Sequence, residues 1–245
     1  MPKRGLNGAA AVDPSAAIGE LVIAHPARAE VFERLRLDYC CNGGQTLAQA
    51  CERRGLDVGT VCQMLEALED LPLAPESLEC RDWRPASISE LCDHIVAAHH
   101  DRLRAQMPRI DELLATVVRV HGAQHAELHD LQRLFASARD ELVAHMEAEE
   151  RVVFPLCRAA EAGRGPVDEA LLAVHESEHA ETGDALVALR ELSHDYDPDA
   201  ALCRTHRSLL EELHRFELDL HQHVHEENNI LFSRARALVA RAPGA

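Results

Sequence analysis

The stretch that decides the fold is LLEELHRFELDLHQHVHEENNI, residues 209–230. Taken every three or four residues it reads Leu209, Leu213, Phe216, Leu220, His223, Glu227, Ile230. That spacing, about 100° per residue, lays one face along a helix. Two ionisable side chains stand on consecutive turns of an otherwise apolar seam. His221 and His225 fall on a different face, where exposure to solvent is expected, as it is for His214.

The same pattern recurs upstream. Residues 131–156 give Leu131, Leu134, Ala138, Leu142, His145, Glu149, Val152, Leu156, again with His-x-x-x-Glu in mid-seam. An earlier segment gives Val96, His100, Leu103, Met107, Ile110, Leu114, Val117, and a later one Leu172, His175, His179, Thr182, Leu186, Leu189. Four periodic segments, roughly 87–120, 125–161, 167–195 and 198–238, are separated by HGAQ, AGRGP and DYDPD, which carry turn chemistry. Long helices with short connections predict an all-α, up-down-up-down four-helix bundle.

The composition agrees. Of the 245 residues 47% are hydrophobic but only 3% aromatic, and a Leu, Val and Ala interior favours helices over strands. A net charge of −17 argues against nucleic acid and anionic membrane surfaces as partners. No run of eighteen apolar residues predicts a spanning helix, and MPKRGLNGAAAVDP lacks the apolar core of a secretory signal, so a cytoplasmic location is expected. There the eight cysteines should be reduced. Cys51, Cys62, Cys80, Cys92, Cys157 and Cys203 read as small hydrophobes.

Residues 15–70 read as a small helical N-terminal domain. Its expected helices are AIGELVIAH, PARAEVFERLRL, QTLAQACERRG (closed by Gly55) and DVGTVCQMLEALED (capped by Asp57). DYCCNGG, with the vicinal Cys40 and Cys41, is a turn between them. Residues 71–86, containing LPLAPESLECRDWRP, read as a linker, and 87–238 as the bundle.

Burying carboxylates and imidazoles is costly unless they are paired or hold metal. A single seam histidine is ordinarily a satisfied core residue; four helices each contributing one, with a repeated His/Glu pair, point to a metal centre. Four histidines and two glutamates exceed one tetrahedral zinc and suit two metals bridged by the carboxylates. Imidazole with carboxylate favours iron or manganese over calcium or magnesium, and iron is the expected metal. An oxo or hydroxo bridge and an open position for a small molecule complete the expected centre. His175 is a candidate fifth histidine or a support for the others. Glu178, Glu147, Glu150 and Glu226 are candidates to hydrogen-bond ligating imidazoles. His99 falls at the seam's edge and His94 off it. His121, His125, His129, His194 and His206 fall near helix ends or outer faces, where an ordinary surface role is expected.

DYCCNGGQTLAQAC, DWR, DHIVAAHHD, HMEAEERVVFP, ESEH and HVHEENNILF, in this order, resemble the Repair of Iron Centres (RIC) proteins, the YtfE/ScdA group. These are hemerythrin-like di-iron proteins with a small N-terminal domain. The resemblance runs from about Ile18 to about Ala237 and carries the family's ligand pattern onto His100, His145, Glu149, His179, His223 and Glu227, the positions already on the seams. It implies a cytoplasmic protein that helps restore iron–sulfur clusters damaged by nitrosative or oxidative stress, by supplying iron, and a di-iron centre that reacts with nitric oxide. His175 departs from the apolar residue expected at its position. The expected partners are damaged iron–sulfur proteins, with nitric oxide or dioxygen as a small ligand, and the chain a monomer or homodimer. A second reading is an enzyme of nitric oxide reductase type, and a third an oxygen-binding or sensing module.

Adjacent cysteines rarely close on each other without strain, so Cys40 and Cys41 are expected as separate thiols. Lying before a helix N-terminus, they are expected to have a lowered thiol pKa. A structural turn and a redox or metal-handing role are equally open for them.

Overall fold

The computed structural model describes residues 11–68 and 82–241. Apart from one isolated bridge, Ala17 to Thr46, the regular structure among the described residues is helical. Two compact units divide the chain: the N-terminal part up to Ala86 together with His225–Ile230, and Ser87–Val224 together with the residues from Leu231 onward. Most of the expected linker falls at residues 69–81, outside the described residues.

The small unit contains α1 (Ile18–Ala24), α2 (Arg28–Leu35), α3 (Leu47–Arg54) and α4 (Val58–Ala67). Local chemistry sets each boundary. Thr46 and Gln49 cap α3 reciprocally, Gly55 ends it in the left-handed conformation at φ 66°, and Asp57 accepts the Thr60 N–H to start α4. Pro26 lies in the turn just before α2 rather than inside its first turn. The segment 225–230 belongs to this unit. Asn229 Nδ2 donates to the Tyr39 and Cys40 carbonyls, both at 3.1 Å. Gly43 and Gly19 make room for it: a Cβ on either would come within 2.2 Å and 2.7 Å of Asn229 Oδ1.

The larger unit is built from four rods. The first is α5 (Ile88–Ile95), a π-helical turn at Val96–His100, and α6 (Asp101–His121). The second is α7 (Glu127–Ala148), a π turn at Glu149–Val153, and α8 (Phe154–Glu161). The third is α9 (Glu169–Leu192) alone; the fourth is α10 (Arg204–His225) and α11 (Ser233–Arg241), joined by a π turn at Glu226–Phe232 whose residues up to Ile230 group with the small unit. α7 packs on both α6 and α9. One apolar cluster runs between them, with Leu103, Met107, Ile110 and Leu114 of α6 meeting Leu131, Phe135 and Leu142 of α7, Leu186 and Leu189 of α9, and Leu209, Leu213, Phe216 and Leu220 of α10.

The π turns leave no mark on the apolar periodicity, and they shift the seams from the expected faces. A π turn bonds i to i+5 and so inserts one residue into the α-helical count. The Asp101 N–H reaches the Val96 carbonyl, and the Phe154 N–H reaches that of Glu149. Each insertion moves the buried face by one residue. Past Glu149 the core residues are Val153 and Cys157, whereas Val152, expected in the core, is 46% exposed and Leu156 is half-buried. Before His100 the buried residue is Ile95, not Val96. α9 has no such insertion, and its expected seam is buried throughout save for half-exposed Thr182.

Candidate metal centre

All three π turns carry an expected ligand or abut one. His100 closes the first, Glu149 opens the second, and Glu227 lies in the third, just beyond His223. Widened turns let a side chain leave the regular helical direction, which is one reason π turns gather at functional sites. Two groupings of ligand atoms result. His100, Glu149, His223 and Glu227 form one; His145, Glu149, His179 and Glu227 form the other, the atoms of each lying within 4.8 Å of one another. Both carboxylates are common to both sets. Every expected ligand is therefore brought into one place, and His145 alone of the six is more than marginally exposed.

The ring orientations match metal binding. His100 Nδ1 lies 2.7 Å from Glu150 Oε1, and His145 Nδ1 lies 2.7 Å from Glu178 Oε2. A carboxylate there accepts the N–H, so each Nε2 presents its lone pair inward. His100 Nε2 faces His223 Nε2 at 3.1 Å, and His145 Nε2 faces His179 Nε2 at 2.9 Å. A cation between each pair would take both Nε2 atoms as ligands. Glu149 is wholly buried, its oxygens 3.1 to 3.7 Å from the Nε2 atoms of His145, His100 and His179, yet neither oxygen is hydrogen-bonded. Burial pushes its carboxyl up, but the surrounding imidazoles outweigh that and hold it well below the usual carboxylate range. This donor set fits a resident pair of metal ions.

Of the expected supporting glutamates, Glu150 and Glu178 do hold ligand imidazoles, and Arg104 Nη2 steadies Glu150 at 2.7 Å. Glu147 instead lies toward Arg151, and Glu226 groups with His94 and His99. His175 is in neither four-residue set. Its Nδ1 lies 3.3 Å from Glu178 Oε2 and 3.4 Å from His145 Nδ1, beside a ligand rather than among the ligands.

Several histidines are not where periodicity put them. His225, expected on an outer face, is buried; its Nδ1 is 3.1 Å from Asn229 Nδ2, and burial pushes it down to about 4. His206 is buried as well, its Nδ1 accepting the Leu202 N–H. His99, expected at the seam's edge, is buried with its Nδ1 3.1 Å from Asp219 Oδ1, its ring stacked parallel to His223. Asp219 has no signature in the sequence, because a lone Asp one residue before seam Leu220 carries no periodic signal.

Cys40 and Cys41 are separate thiols, their sulfurs 3.7 Å apart. The expected lowering of a thiol pKa does not hold for Cys40. Its contact with the Cys41 sulfur, burial and the nearby Asp38 carboxylate all push that thiol up. Cys51, Cys62, Cys92 and Cys157 are buried, as small hydrophobes would be, Cys203 is half-buried, and Cys80 lies outside the described residues.

An all-helical bundle with two sets of imidazoles sharing a pair of carboxylates defines a hemerythrin-like cation-binding protein. Known proteins agree: the sequence profile of the Hemerythrin HHE cation binding domain matches residues 92–235, and that of ScdA_N, a domain of unknown function, matches residues 14–69. The Iron-sulfur cluster repair protein YtfE of Pectobacterium carotovorum is 35% identical over 218 residues, covering 89% of this chain and 95% of the relative. The protein of the same name from Escherichia coli is 34% identical over 220 residues, covering 90% and 96%. That of Escherichia fergusonii is 33% identical over the same shares. The chain belongs to the hemerythrin HHE family and, within it, to the RIC group of YtfE-type iron–sulfur cluster repair proteins.

Proposed function

We propose that this protein holds two iron ions and acts in the repair of iron–sulfur clusters damaged by nitrosative or oxidative stress, by supplying iron. His100 and His223 would hold one ion and His145 and His179 the other, with Glu149 and Glu227 serving both, and an oxo or hydroxo bridge would complete the pair. The observation that carries this is the sharing of both carboxylates by two imidazole pairs. A carboxylate-bridged di-iron pair supplies a small, redox-active store of iron. The chain's own residues do the rest. Glu150 and Glu178 keep the Nδ1 protons of His100 and His145, so their Nε2 atoms stay available to metal. Glu178 is half exposed, so one of these supports is open to solvent. Damaged iron–sulfur proteins are the partners of this reading, with nitric oxide or dioxygen as small ligands.

The test is to incubate the iron-loaded protein with an enzyme whose cluster has been damaged, together with a sulfur source. Recovery above that given by the same amount of free ferrous iron supports iron donation; equal recovery removes it.

A further inference from the structure

One cluster of metal-ligating side chains lies apart from the imidazole sets, in the turn between α2 and α3. Asp38, Cys40 and Cys41 bring a carboxylate oxygen and two sulfurs within 4.8 Å of one another. The Cys40 and Cys41 sulfurs are 3.7 Å apart, and Cys40 Sγ lies 3.3 Å from Asp38 Oδ1. Two thiolates on one tetrahedral ion, each about 2.3 Å from it, stand about 3.8 Å apart. A thiolate and a carboxylate oxygen on such an ion stand about 3.5 Å apart. The three atoms are thus already spaced as ligands. Two sulfurs in plain contact would match the first distance alone; a structural thiol pair has no need of the carboxylate that faces it here.

The turn holds this arrangement from several sides. The Cys41 N–H donates to Asp38 Oδ1 at 2.9 Å and Asn42 Nδ2 donates to Oδ2 at 2.6 Å, which orients the carboxylate. The Cys40 carbonyl accepts from Asn228 Nδ2 at 3.3 Å and from Asn229 Nδ2 at 3.1 Å, which fixes the backbone between the two sulfurs. Cys40 is buried, whereas Cys41 and Asp38 reach solvent, so an ion can enter from that side. The neighbouring sulfur and carboxylate that push the Cys40 thiol up penalise a lone thiolate, and a divalent cation removes that penalty. A thiol held protonated is a poor nucleophile, which disfavours thiol exchange at Cys40 and leaves ligation.

We infer that Asp38, Cys40 and Cys41 form a mononuclear site for a borderline divalent ion of the zinc class. Two thiolates and one carboxylate hold the ion, and water completes the tetrahedron. Each ion bound releases the two thiol protons to solvent. The site draws on none of the six iron ligands and does not rest on the repair reading.

Cobalt(II) is the probe. The full-length chain, reduced and kept from oxygen, with its iron content measured in the same samples, is titrated with Co²⁺. Neither imidazole set contains a sulfur, so a thiolate-to-cobalt charge-transfer band separates this site from the main centre. The band is expected to saturate at one equivalent. Cys40→Ser and Cys41→Ser should each remove it. Asp38→Asn keeps an acceptor for the Cys41 N–H and should weaken binding about tenfold or more, since even an outer partner of a ligand is worth that much. Iron content should stay unchanged in all three variants. A measurement on the parent protein needs no substitution: one equivalent of Zn²⁺ should block alkylation of Cys41, located by peptide mass, and leave half-buried Cys203 as reactive as before. The proposal is overturned by the lack of a thiolate band in the parent, or by a band that survives Cys41→Ser. Unchanged affinity in Asp38→Asn, or alkylation of Cys41 that Zn²⁺ does not alter, overturns it equally.

Discussion

His145 presents its two ring nitrogens to opposite tasks: Nδ1 sits 2.7 Å from the Glu178 carboxylate, and Nε2 points 2.9 Å from His179 Nε2. His100 repeats the relationship with Glu150 and His223. The second carboxylate is thus as much a part of each half-site as the imidazole, and its removal is informative. Glu150→Ala should leave the protein folded and lower its affinity for iron about 10- to 100-fold. Competition with a chromophoric ferrous chelator measures this. Unchanged affinity would detach Glu150 from the centre.

Glu149 belongs to both four-residue sets. Glu149→Ala is therefore expected to abolish the paired centre, leaving fewer than two irons per chain and no bridged-pair signature in Mössbauer spectra. His145→Ala touches one set alone, and should cost one iron in preference to the other. Two full irons in Glu149→Ala would disprove the shared-carboxylate reading.

The π turn at Glu149–Val153 makes a prediction that periodicity alone reverses. Val153 is fully buried and Val152 is 46% exposed. Val153→Ala should cost about 2 kcal/mol, through lost burial and the cavity left behind. Val152→Ala should stay within about 0.5 kcal/mol of the parent. Denaturant unfolding of the two variants decides the frame.

Gly43 and Gly44 are adjacent but not equivalent. A Cβ on Gly43 would fall 2.2 Å from Asn229 Oδ1 and 2.7 Å from the Tyr39 carbonyl, whereas one on Gly44 meets nothing within 4 Å. Gly43→Ala is expected to destabilise by about 1–3 kcal/mol or more, as overpacking does. Gly44→Ala is expected to be neutral or slightly stabilising. Thermal melting of the two variants, side by side, checks the contrast.

His225 gives the metal-free protein a pH dependence. Burial pushes its folded-state value down to about 4 from 6.5, so between those values the unfolded chain binds a proton that the folded chain refuses. Stability should fall as pH drops from about 6.5 toward 4, by about 3 kcal/mol at most from this group. His225→Gln removes that contribution, and its unfolding free energy should depend less on pH over the same range. An identical slope in parent and variant would exclude His225 as the cause.

Much of the bundle was legible because burial imposes periodicity. The seams of α9 and of α10 up to His223 are the buried faces observed, and the capping expected at Gly55 and Asp57 is present. Errors cluster where a local rule was broken by something distant. Val152 and Val96 leave their expected faces because an inserted residue is invisible to a 3.6-residue count, and an insertion persists only when tertiary contacts hold it. His225 is buried against expectation because helix geometry says which residues share a face, not which faces are covered. Its neighbours Tyr39 and Asn229 include one nearly two hundred residues earlier in the chain.

By itself, the sequence determined the helical class, the turns and the six ionisable residues on the seams, because all three follow from interactions within a few residues. The tertiary structure decided which glutamates hold which imidazoles, where helices widen to admit a ligand, and which histidines lose their water. Those depend on packing between segments a hundred or more residues apart, as between His100 and His223, and no local spacing encodes them.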